Sequence, residues 1–112
     1  MEDWAEEAGF AVTLCDREGK ITYMNARSRG TFAKYGGGGL VGKSLLDCHP
    51  EPARSKLAGM LKEPRVNAYT IEKGGVRKLI YQAPLTKDGA VSGLVELSVE
   101  LPAEMPHFVR KP

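Results

Sequence analysis

The chain has 112 residues, 42% hydrophobic and 27% charged, with 16 Lys plus Arg against 14 Asp plus Glu and a formal charge of +2. That length accommodates one modest core, and the composition is that of a globular domain rather than a disordered or fibrous chain. So small an excess of scattered basic residues provides no electrostatic footprint for direct nucleic-acid binding or an anionic membrane, and no stretch approaches the roughly eighteen consecutive apolar residues of a membrane span.

The N-terminal stretch Met1-Glu2-Asp3-Trp4-Ala5-Glu6-Glu7 is acidic and lacks the basic start and apolar run of a signal peptide. It predicts a cytoplasmic protein in which Cys15 and Cys48 stay reduced. Trp4, Ala5 and Ala8 fall at helical spacing, so residues 1–8 are expected to form an amphipathic flanking helix or arm. Ala11 to Asp16 and Lys20 to Met24 read as two short strands joined by the turn Asp16-Arg17-Glu18-Gly19. Asn25 stands where an N-cap is wanted, its side-chain oxygen able to accept a backbone N–H from the first turn of a helix over 26–35.

Gly36 to Gly39 ends that helix and is expected to be mobile, because glycines lose the most backbone entropy on ordering. A brief helical turn over 41–47 comes next, then a helix over about 51–63, where Ala53, Leu57, Met60 and Leu61 form one apolar stripe and Pro52 suits the first turn. Pro64 stops it. Asn67 to Lys73 and Val76 to Leu85 read as a hairpin around Gly74-Gly75, and Lys87-Asp88-Gly89 turns the chain into a last strand over 91–101. In that strand Val91, Gly93, Val95, Leu97, Val99 and Leu101 are expected to face the core, leaving Leu94 as an apolar exception on the wet face. Strands, then helices, then strands favour an α+β architecture with an antiparallel sheet covered by helices on one face. The tail over 102–112 contains three prolines and cannot be a long helix.

Gly37-Gly38-Gly39-Leu40-Val41-Gly42-Lys43-Ser44 matches the phosphate-loop pattern G-x-x-x-x-G-K-[ST], which makes a nucleotide-binding enzyme the remote alternative. A working phosphate loop succeeds a buried strand and opens a long helix, so that N–H groups and the helix dipole converge on the phosphates. Here a helix precedes the glycines, and His49-Pro50 interrupts the helical segment after Lys43-Ser44, which favours a loop with a helix cap. Cys48-His49 and the distant His107 are too few ligands for a structural zinc site, so no metal is expected. No orienting acid or oxyanion site accompanies a cysteine–histidine pair, so no catalysis is expected.

The opening hairpin Val12 to Met24, the junction Met24-Asn25-Ala26, the segment Val41-Gly42-Lys43-Ser44-Leu45 and the stretch Pro84 to Glu96 together resemble a PAS domain over residues 9–101. The resemblance implies a five-stranded antiparallel sheet in the order 2-1-5-4-3 with helices packed over one face. It implies a non-catalytic sensory or protein-interaction module in signal transduction or transcriptional regulation, bacterial and cytoplasmic. Its partner would be a signalling protein or a fused effector. Some PAS domains ligate haem, which makes a haem sensor using His49 the alternative. The related light-sensing domains carry their flavin cysteine in Asn-Cys-Arg-Phe-Leu-Gln, whereas Cys48 has Asp47 and His49 as neighbours, so no certain cofactor is assigned. Small ligands of the family lie between helices and sheet, where Phe32, Leu57, Leu61, Tyr81, Val95 and Leu97 are expected to converge. Flanking helices of the family pack on the outer sheet face, so a homodimer through Trp4, Ala8 and Leu94 is expected.

Overall fold

Five strands and three α-helices succeed one another in a computed structural model that describes residues 3–112, with Asp3 and Cys48 described through their backbone alone. Helix α1 (Asp3–Glu6) precedes strands β1 (Ala11–Asp16) and β2 (Ile21–Met24). Helix α2 (Ala26–Thr31) is followed by 3-10 turns at Ala33–Tyr35, Gly37–Leu40 and Leu45–Cys48, then by helix α3 (Ala53–Lys62). Strands β3 (Asn67–Lys73), β4 (Val76–Lys87) and β5 (Ala90–Leu101) complete the order. The sheet runs β2-β1-β5-β4-β3 with every neighbouring pair antiparallel, the order that the family resemblance implies.

Local chemistry sets the hairpins. Asp16 Oδ1 accepts the N–H groups of Glu18 at 2.9 Å and Lys20 at 3.0 Å, closing the β1–β2 turn. Gly74 and Gly75, at φ of 60° and 80°, and Asp88 and Gly89, at 53° and 82°, supply the paired left-handed residues of two-residue hairpins. Backbone approach matters at one further position. At Gly93 a Cβ would fall on the carbonyl oxygen of Cys15, so the β1–β5 contact tolerates no side chain there.

Register assigns the faces of the sheet. Cys15 stands opposite Leu94 and Thr13 opposite Glu96, while Gln82 of β4 opposes Glu96 from the other side. Cys15, Ile21, Met24 and Leu94 join Leu40, Leu45, Leu57 and Met60 in one core cluster, so this parity faces the helices. The intervening residues Val95, Leu97 and Val99, with their partners Ala83, Tyr81 and Leu79, lie on the opposite face.

These faces are the reverse of those expected from the sequence. Leu94, expected on the wet side, is 2% exposed within the core. The reversal has a physical reason: Glu96 and Gln82 look solvent-facing in sequence but are buried, because each bonds a neighbour across the sheet. The glycine tract also differs from expectation. Gly37–Leu40 closes a 3-10 turn that buries Gly37 and delivers Leu40 to the core. Helix α2 is shorter than expected, ending where the Phe32 N–H returns to Ser28 and Gly30 carbonyls.

Candidate functional site

Asn25 is the junction between the N-terminal flank, the first hairpin and α2. Its Oδ1 accepts the N–H groups of Ser28 and Val12, both at 2.9 Å, and its Nδ2 donates to the carbonyls of Ala5 at 2.7 Å and Phe10 at 2.9 Å. The expected N-cap is present, and the same side chain also seats the flank. Beside it the Arg29 guanidinium grips both carboxylate oxygens of Glu6 at 2.9 and 3.1 Å, and Tyr23 donates to Glu6 Oε1 at 3.1 Å. The Arg29 hydrogen bond is the main reason that the Glu6 carboxyl sits below its ordinary pKa.

Of the six residues expected around a ligand, Leu57 is in the core, with Phe32 and Leu61 half-buried against it. Tyr81, Val95 and Leu97 are on the far face of the sheet, so the six do not converge. Beside the apolar cluster, a polar chain also meets the helical layer. Asn67 Nδ2 donates to Gln82 Oε1 at 2.9 Å, Gln82 Nε2 donates to Glu96 Oε1 at 2.7 Å, and Glu96 Oε1 lies 2.9 Å from His49 Nε2. These bonds tie β3, β4 and β5 to the end of the Leu45–Cys48 turn. Sequence reasoning finds His49 alone; Gln82 and Glu96 become visible only when β4 and β5 are set in register.

Both His49 nitrogens are engaged, Nδ1 with the Leu45 carbonyl at 3.0 Å and Nε2 with Glu96, so haem ligation there would require breaking a buried pair. The His49 surroundings do not fit an axial ligand. The Cys48 side chain lies outside the described residues. Among the described residues no group of three or more His, Cys, Asp or Glu side chains is arranged for a metal ion.

The phosphate-loop match has no anion cradle. Gly37 N–H donates to Phe32, Gly39 to Gly36, Val41 to Gly38, Gly42 to Ile21 and Lys43 to Leu40, all to backbone carbonyls. Ile21 N–H in turn donates to the Lys43 carbonyl at 2.8 Å, so Gly42 and Lys43 lie alongside β2. The helix before the glycines and the donors turned inward leave the loop without the geometry that phosphate recognition uses. A shallow hollow of about 80 Å³ elsewhere is lined by polar residues including Arg27, Thr31, Lys78 and Glu100.

The outer sheet face is apolar. Leu14, Leu79, Val95, Leu97 and Val99 are half-buried there, and Tyr81 is 37% exposed. Trp4 of the flank is 62% exposed and Ala8 half-buried; Met1 and Glu2 lie outside the described residues. No helix among the described residues is long and apolar enough to cross a membrane.

A family profile described as the PAS fold matches residues 5–66, more than half the chain. The sensor region of a sensor histidine kinase superposes with a TM-score of 0.64 at 17% identity, over 88% of this chain and 42% of that one. The PAS domain of histidine kinase ThkA gives 0.65 at 15% identity, over 80% and 97%. The Aer2 receptor from Vibrio cholerae, described as a dual PAS-heme oxygen sensor, gives 0.59 at 20% identity, over 83% and 95%. At these identities the structures establish a shared fold, and the chain spans under half of the sensor-kinase chain. No curated protein sequence matches it. With its sheet order, its Asn25 junction and the matched segment 5–66 agreeing, the chain belongs to the PAS-fold family.

Proposed function

We propose that the chain is a non-catalytic sensory and protein-interaction module of a bacterial signalling or transcription-regulating protein, working as a cytoplasmic homodimer with a partner protein or fused effector downstream. The observation that carries this reading is the apolar outer face of β1, β5 and β4, an association surface that a self-sufficient monomer would not leave half-covered. Trp4 is 62% exposed on α1, whose Glu6 is gripped by Tyr23 of β2 and Arg29 of α2. A signal that moves the helical layer against the sheet would therefore reach the flank through Asn25 and Arg29. Small-molecule input would enter at the half-buried rim formed by Phe32, Leu46 and Leu61, which pack against the core cluster without being closed over.

Light scattering over a range of concentrations is expected to give twice the chain mass, with Leu97→Asp restoring a monomer. A wild-type chain that stays monomeric at all concentrations would overturn the dimer. Native mass spectrometry of protein purified from its own host reads a retained small ligand in the same measurement.

A further inference from the structure

The hydrogen bonds around His49 impose a proton count. Nδ1 faces the Leu45 carbonyl oxygen at 3.0 Å, and Nε2 faces Glu96 Oε1 at 2.9 Å. A backbone carbonyl only accepts, and Glu96 Oε1 already accepts from Gln82 Nε2 at 2.7 Å. A neutral imidazole has one N–H and one lone pair. It satisfies both neighbours only if the His49–Glu96 pair keeps one extra proton, as imidazolium with carboxylate or as neutral imidazole with carboxylic acid. Loss of that proton sets a nitrogen lone pair against an oxygen lone pair where the side chains are only 8% and 7% exposed.

We propose that His49 and Glu96 form a proton-operated latch, which holds the Leu45–Cys48 turn and the adjoining helix α3 against β5 while the shared proton is bound and releases them when it is lost. The role of the latch in signalling rests on the sensory function proposed for the chain; its chemistry does not. The turn and α3 also place Leu45, Leu57 and Met60 in the core cluster, so release is a local opening of these segments rather than their detachment.

Other titratable groups face the pair from the neighbouring elements. From β1, the Cys15 thiol is pushed up chiefly by burial, with the charges of Asp16 and Glu96 adding to the effect. From β3, the Tyr69 hydroxyl is pushed up by burial and then by Glu96. Asp47 of the turn and Arg54 of α3 face each other at 3.6 Å. For His49 burial is the largest influence and opposes the charge, but the Glu96 hydrogen bond, its charge and the Leu45 carbonyl outweigh it and raise the ring above its ordinary 6.5. A raised value makes the stabilisation complete below 6.5 and lost as pH rises through the closed-state titration point.

An NMR titration of the 112-residue chain reads the His49 ring and the amide exchange of residues 45–62 together. His49 is expected to titrate above 6.5. Exchange over 45–62, relative to the β4 and β5 amides, is expected to rise by up to roughly tenfold per pH unit until that titration point and then level off. Glu96→Gln keeps the shape and an acceptor for Gln82, and shifts the His49 titration to lower pH. A wild-type His49 titrating at or below 6.5 overturns the latch, as does a titration that leaves 45–62 exchanging in parallel with the strands. Both decisive readouts use the wild-type chain, so the test survives a variant that does not fold. Neither readout involves dimerisation or a downstream partner, so a failed latch leaves the sensory reading standing, and a monomeric chain leaves the latch standing.

Discussion

The two faces of the sheet solve opposite problems. The helix-side face contains Thr13, Gln82 and Glu96, all buried, and each is matched: Thr13 to Ser28 at 2.6 Å, Gln82 to Asn67 and Glu96, Glu96 to His49. The outer face presents Leu14, Leu79, Val95, Leu97 and Val99 with little polar chemistry. A buried polar network is directional and favours one arrangement, because any displacement strands a donor or acceptor. An apolar surface is non-directional and associates by area alone. The inner face therefore favours one arrangement, whereas the outer face leaves apolar area that is only half covered.

The largest expected effect comes from truncating equivalent side chains on the two faces. Leu94→Ala removes a fully buried side chain from the cluster that includes Cys15 and Met60, and should destabilise the chain by roughly 2–5 kcal/mol in urea unfolding. Leu97→Ala, three positions along on the half-covered face, should cost about 1 kcal/mol or less to the monomer. Equal losses at the two positions would mean that the outer face is as closed as the core, and the association surface would be lost as an idea.

The next largest effect is expected on the inner face, at the Asn25 junction. Asn25→Asp keeps the oxygen that Ser28 and Val12 N–H groups reach, but removes the donor to the Ala5 and Phe10 carbonyls. A loss of about 1–3 kcal/mol is expected from two buried acceptors left unpaired and a carboxylate set against them. Hydrogen exchange should show residues 3–10 released while α2 keeps its cap. Fraying of α2 as the first response would place the weight of the junction on the cap instead.

Much of the architecture was legible locally. The turn residues at Asp16, Gly74-Gly75 and Asp88-Gly89 and the cap at Asn25 act over a few residues, so β1 and β3 begin and end where the sequence places them. Facing was not legible, because Gly93-Leu94-Val95 carries apolar side chains at both parities and Glu96 reads as solvent-exposed. Its burial depends on His49, 47 residues away in the chain, and no local pattern encodes that meeting. The glycine motif misleads for a related reason: its spacing is local, while the partners that occupy its N–H groups include Ile21 and Phe32 from other segments.

The smallest effect tests where the inner network ends and the flank begins. Glu6 and Arg29 are each 40% exposed, so their ion pair is screened by water and contributes direction more than stability. Glu6→Gln keeps an acceptor for Tyr23 and removes the charge. Global unfolding should be unchanged, while amide exchange in residues 3–8 becomes faster. The wild-type clasp should show an acid limb of the same kind. The Glu6 carboxyl is held below 4.5, chiefly by its Arg29 hydrogen bond, so its contribution is present above 4.5 and lost as pH falls through the lowered value. The flank thus loosens toward acid and the His49 latch toward base, and a single exchange experiment over a wide pH range separates them. If Glu6→Gln lowered global stability as much as Asn25→Asp, helix α1 would be part of the core, and a flank that reports on the core would need to be sought elsewhere.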